Sequence, residues 1–124
     1  MRVPRRRSSR RRVVPKPRLR LRWSEAAALD LEEIATYAAA DSPVHAHKLV
    51  AKLKAKTDSL VRMPKRGRAV PELSYFGIRT WRELVVRPYR IVYRIEATTV
   101  YVMAVLDGRR DLGDVLLERL LRTG

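Results

Sequence analysis

Between residues 19 and 23 apolar and cationic side chains alternate, with Leu19, Leu21 and Trp23 set against Arg20 and Arg22. A period of two over so short a run predicts a strand with one buried face. The period then changes. Ser24 suits an N-cap and Glu25 the first helical turn. After them Ala27, Leu31, Ile34, Ala35 and Ala38 recur at helical spacing, while Asp30, Glu32, Glu33 and Asp41 fall mostly off that stripe. Ser42 and Pro43 repeat the signal for a helix start, because proline at the first helical position gives up no intrahelical N–H bond. Ala46, Leu49, Val50, Leu53, Thr57, Leu60 and Val61 form the second stripe, and Lys48, Lys52, Lys54 and Lys56 occupy the rest. Pro64 ends it. Two helices joined at "DSP" predict an antiparallel hairpin, acidic on one member and basic on the other. Mutual ion pairing and solubility account for most of those charges.

Residues 65–77, "KRGRAVPELSYFG", read as a loop punctuated by Gly67, Pro71 and Gly77. Three strands follow, about 78–87, 89–96 and 99–106, joined by "RPY" and "EATT". Connections this short predict an antiparallel meander. "VYVMAVL" is almost wholly apolar, as a central strand covered on both faces would be. Leu112, Val115, Leu116 and Leu120 predict a short terminal helix. The expected fold is α+β: an antiparallel sheet made of the short N-terminal strand and the meander, a helical hairpin on one face, and a short C-terminal helix. In "YRIVYRI" Tyr89, Ile91, Tyr93 and Ile95 alternate with Arg90 and Arg94. The hairpin would cover the first set, leaving the arginines on an open face that wants something negative.

Charge changes the picture at the N-terminus. The chain has 124 residues and a net charge of +15, yet residues 1–22 carry eleven Lys/Arg and no acid, leaving 17 bases against 13 acids beyond them. Residues 1–17 are therefore expected to be a disordered basic arm, too poor in apolar residues to offset ordering entropy. An upstream choice of start codon would give the same composition. Such an arm could hold RNA, DNA or anionic lipid by charge alone. Its arginines lead into no apolar segment, so it does not read as a signal peptide. No apolar run has the length of a membrane span, so no membrane partner is expected and a cytoplasmic location is the default. There is no cysteine, and His45 and His47 are the only histidines. Two residues apart on one helix, they point to different faces. No metal or cofactor is expected.

The stretches "WSEAAALDLEEIATYAA", "MPKRGRAVPEL", "RELVVRPYRIVYRI" and "VMAVLDGRRD" together resemble the RelE/ParE superfamily of toxins from type II toxin–antitoxin modules. The likeness covers about residues 18–111, and the domain is taken as 18–124. It implies a small sheet with a helical hairpin, a cognate antitoxin that wraps the toxin in a hetero-oligomer, and a target in translation or DNA topology. RelE-like members cut messenger RNA in the ribosome; ParE-like members poison DNA gyrase. In the nuclease branch an arginine on the third strand contacts phosphate, and Arg90 matches it through the "YRIVY" frame. A later arginine matches Arg110. The lysines of the RelE second strand fall at Trp81 and Glu83, and the C-terminal tyrosine falls at Leu116. Glu72 matches the glutamate that a sister branch uses, but no histidine follows His47.

Cleavage by 2′-OH attack needs a proton acceptor, a proton donor and cations on the phosphate. The cations survive here, and a paired acid and base do not. A ParE-like toxin that binds and inhibits gyrase is therefore the favoured reading. The alternative is a RelE-like ribosome-dependent endoribonuclease using Arg90, Arg110 and Glu72. A further alternative is a basic nucleic-acid-binding module. Arg82, Arg90, Arg94, Arg109, Arg110, Lys48 and Lys52 are the candidates for target or antitoxin binding. Against these stand plain structural readings: Arg82 and Glu83 ion-paired to neighbours, Arg109 and Arg110 closing on Asp107 and Asp111, and Tyr89, Tyr93 and Trp81 packing.

Overall fold

The computed structural model describes residues 19–123; the arm read at residues 1–17 lies outside the described residues. Strand β1 (Arg20–Trp23) leads into helices α1 (Glu25–Asp41) and α2 (Pro43–Asp58). Two 3-10 turns, strand β2 (Arg68–Ala69) and the one-turn helix α3 (Pro71–Ser74) follow. Strands β3 (Trp81–Val86), β4 (Tyr89–Glu96) and β5 (Thr99–Asp107) then precede helix α4 (Gly113–Thr123). Both serines cap as their sequence context implies. Ser24 Oγ accepts the Ala27 N–H at 3.0 Å, and Ser42 Oγ accepts that of His45 at 3.1 Å.

The sheet runs β1-β5-β4-β3-β2. The meander is antiparallel, but β1 pairs in parallel with β5, Arg20 opposite Thr99 and Trp23 opposite Val102. No tight turn links these two strands, so no hairpin geometry fixes their relative direction. The loop expected at 65–77 contains β2 and α3, elements too short to leave a periodic signal.

One face of the sheet packs under the α1–α2 hairpin, where Ala27, Leu31, Leu53 and Leu60 meet Ile91, Tyr93, Val100, Val102 and Val105. The other face, expected to be open, is covered: Leu73 of α3 and Leu112 and Leu116 by α4 lie over Trp81, Val92, Met103 and Ala104. The reason is the apolar content of that face. Leaving such side chains in water would forfeit about 1.5–3 kcal/mol each. The near-continuous apolar run of β5 follows from burial on both sides.

A bulge shapes β5. Val92 pairs with Ala104 but Tyr93 with Val102, so Met103 has no partner on β4. The neighbouring backbone groups find side chains instead. The Met103 carbonyl accepts from Ser24 Oγ at 3.2 Å and from Arg119 Nη1 at 3.2 Å, and the Val105 N–H donates to Asp30 Oδ2 at 3.0 Å. Arg119 also donates to both oxygens of buried Asp30, at 2.6 and 3.0 Å. One ion pair thus ties α4 to α1 across the bulge.

Candidate functional site

The β2–β3–β4 ladder arranges a charged row. Arg68 stands opposite Glu83, and Arg90 stands opposite Val85, one alternation further along the same face. Pro71 starts α3 and sets Glu72 above them. Arg90 donates from Nη1 and Nη2 to the two oxygens of Glu72 at 2.7 and 2.6 Å, and from Nε to Glu83 at 2.7 Å. Arg68 Nε donates to the second oxygen of Glu83 at 2.8 Å. The Glu83 side chain is fully buried and that of Arg90 is 11% exposed. Two cations and two carboxylates therefore balance one another.

The electrostatics follow from these bonds. The bidentate bond from Arg90 holds the Glu72 carboxyl below the usual carboxylate range, against the opposing effect of burial. The bond to Glu72, aided by Glu83, pushes the Arg90 guanidinium further up. Beside the row opens a cleft of about 330 Å³ lined by Arg68, Glu72, Arg87, Arg90, Gly108 and Arg109, among others. Gly108 permits the close approach of the loop after β5. A Cβ there would lie 2.8 Å from Arg90 Cδ and 3.0 Å from the Pro88 carbonyl.

The remaining candidates lie around or away from this cleft. Arg109 closes on Asp107 at 2.7 Å, and its bond lowers the Asp107 carboxyl to about 2. Arg110 is exposed and borders the neighbouring hollow that contains Asp107 and Glu33. Lys48 and Lys52, both exposed, line a hollow of about 350 Å³ with His45, Leu49, Arg87, Pro88 and Tyr89. Arg82 donates to the Gly67 carbonyl at 2.8 Å and pins the loop before β2. Arg94 lies between the rings of Trp81 and Tyr101, 5.0 and 5.2 Å from their centroids, and meets Glu96 at 3.2 Å. Thus Glu72, Arg90 and Arg109 share one cleft, Lys48 and Lys52 border it across Arg87, and Arg82 and Arg94 serve the scaffold elsewhere.

Sequence reading missed Arg68 and Arg87, and it paired Glu83 with no particular cation. The signal for Glu83 was its place: it shares a strand face with Trp81 and Val85, and a glutamate in a buried face needs a cation. Leu116, at the position of the family's C-terminal tyrosine, is fully buried in the core beneath α4. Among the described residues no group of three or more His, Cys, Asp or Glu side chains converges, and no helix is long and apolar enough to cross a membrane.

Residues 21–112 match the profile of the ParE toxin of the type II toxin–antitoxin system parDE. The chain is 34% identical over 101 residues to Y4kP of Sinorhizobium fredii, classed by name with the toxins, a match covering 80% of this chain and 98% of that protein. It is 34% identical over 89 residues to toxin RelE2 of Caulobacter vibrioides, covering 71% and 93%. The chromosomal ParDE toxin–antitoxin system of P. aeruginosa shares the fold with a TM-score of 0.60 at 21% identity, over 72% of this chain and 95% of that one.

Proposed function

The chain belongs to the RelE/ParE superfamily of type II toxin–antitoxin toxins, and from that premise we propose that it acts on DNA gyrase as a binding inhibitor. In this reading a cognate antitoxin silences it in the cytoplasm. One observation carries the choice of a binder over a nuclease: the carboxylate lining the cleft, Glu72, is already spent on Arg90. Among the residues lining it, Glu72 alone is an unprotonated group that could serve as a proton acceptor. That carboxylate is clamped on both oxygens by Arg90, which favours its charged form and weakens it as a base. Arginine stays protonated and is a poor proton shuttle. The C-terminal position that supplies an acid in the nuclease branch is a packed leucine, Leu116. What the cleft offers is a cationic surface lined by Arg68, Arg87, Arg90 and Arg109, which suits recognition of a partner.

The test uses purified toxin in two assays side by side. Gyrase supercoiling should be blocked, and primer extension on ribosome-bound messenger RNA should show no new ends. Codon-positioned cuts that disappear in Arg90→Ala would transfer the protein to the ribonuclease branch.

A further inference from the structure

Three of the cations that carboxylates do not consume are grouped. Lys48 and Lys52, four residues apart on α2, share a helix face, and Arg87 stands at the β3–β4 turn beside them. All three are exposed, and none forms an ion pair among the described residues. Their hollow shares Arg87 and Pro88 with the arginine cleft, so one cationic strip runs from α2 over the turn to Arg109. Acids near the strip are engaged: Glu72 by Arg90 and Asp107 by Arg109. Of the acids of α1, Glu32 lines a separate hollow and Glu33 meets the strip only at its Arg109 end.

We propose that this strip grips the sugar–phosphate backbone of duplex DNA, so that the toxin touches the DNA held by its target as well as the target itself. The inference rests on the gyrase reading for its setting, and on the strip for its chemistry. Helical rise separates Lys48 and Lys52 by about 6 Å along α2. Phosphates of one strand recur about every 3.4 Å of duplex axis, and lysine stems are long and flexible, so the two ammonium groups can reach phosphates of one strand. Lysines and an exposed arginine give contacts that position a duplex without reading bases. Single-stranded nucleic acid is held by aromatic platforms for stacking. Tyr75 and Phe76, both exposed, line neither hollow, Tyr89 is half-buried, and exposed Tyr37 sits with Arg109 in the adjoining hollow at the strip's end, so Lys48, Lys52 and Arg87 have no fully exposed ring among them. A duplex therefore fits the strip better than a single strand.

The experiment titrates full-length protein into a labelled short duplex over a series of salt concentrations. Wild type is compared with Lys48→Ala/Lys52→Ala/Arg87→Ala and with Lys54→Ala/Lys56→Ala/Arg62→Ala, which removes equal charge elsewhere. The basic N-terminal residues are common to all three. The slope of log affinity against log salt should fall by about 0.9 for each strip cation removed, and stay near the wild-type value in the control. Equal losses in both variants, or tighter binding to single-stranded RNA of the same length, would overturn the proposal. Supercoiling assays on the same proteins separate the two readings. Inhibition undiminished in the strip variant defeats the DNA contact and leaves gyrase as target. A wild type that does not inhibit gyrase, with the slope loss seen in the strip variant, keeps the DNA contact and removes gyrase.

Discussion

At the scale of single residues, Glu83 and Arg68 illustrate how burial decides the worth of a charge. Both belong to one ion pair, but the Glu83 side chain is fully buried and that of Arg68 is 65% exposed. Glu83→Gln leaves Arg90 buried with one carboxylate where it had two. Urea unfolding should show a loss of about 3 kcal/mol, as for breaking a buried pair from one side. Arg68→Ala should cost no more than about 1 kcal/mol, since an exposed cation gains little from pairing and buried Glu83 keeps Arg90. A comparable loss in both would mean that the row acts as one cooperative network. Glu72 adds a pH dependence. Its folded-state pKa is depressed from 4.5, so it contributes stability above that value and loses the contribution as pH falls through the folded pKa. The stability gap between wild type and Glu72→Gln should therefore be level near neutrality and shrink below pH 4.5, as measured by thermal melts at stepped pH. A gap that widens on acidification would contradict the clamp.

At the scale of elements, α4 is held at two kinds of contact. Leu112 and Leu116 seal the second core, and Arg119 reaches across to Asp30 at the β5 bulge. Bonding to Asp30 raises the Arg119 guanidinium still further, so the cation of the pair is not lost at any ordinary pH. Arg119→Ala should raise amide hydrogen exchange across residues 113–123 and at Val105, whose N–H shares the Asp30 carboxylate. Exchange unchanged in both places would show that the leucines alone dock the helix. The existence of α4 was legible in its leucine spacing, and both long helices were legible in their stripes and serine caps. The covering of the second face was legible too, in the unbroken apolar run of β5, although the alternation in β4 pointed the other way. Arg90 and Arg94 resolve that conflict. Each is a cation made tolerable under cover, one by two carboxylates and one by two aromatic rings. What the chain could not announce was the parallel pairing of β1, the bulge at Met103 and the one-turn α3. Each depends on partners distant in sequence. The same holds for the site: Arg90 and Glu72 are 18 residues apart and carry no shared period.

At the scale of the whole molecule, the question is whether toxicity follows from chemistry or from binding. Induced expression without antitoxin should arrest bacterial growth, as the family implies. Glu72→Gln then separates the readings. If Glu72 were the base of a nuclease, its loss would reduce cleavage by roughly 10²–10⁴-fold, and colony counts would recover by orders of magnitude. If the toxin acts by binding, glutamine still fills the space and still accepts one bond from Arg90, so the surface persists. Growth arrest should then remain, provided the variant is soluble and melts near the wild type, which circular dichroism on the same preparation establishes. The strip variant lacking Lys48, Lys52 and Arg87 gives the opposite expectation. It leaves the Glu72–Arg90–Glu83 row intact, since none of the three replaced side chains bonds to it, yet it removes the free cations. A binding toxin should lose potency there and keep it in Glu72→Gln. Recovery of growth in folded Glu72→Gln protein, with arrest retained in the strip variant, would reverse both assignments and place the activity in the cleft.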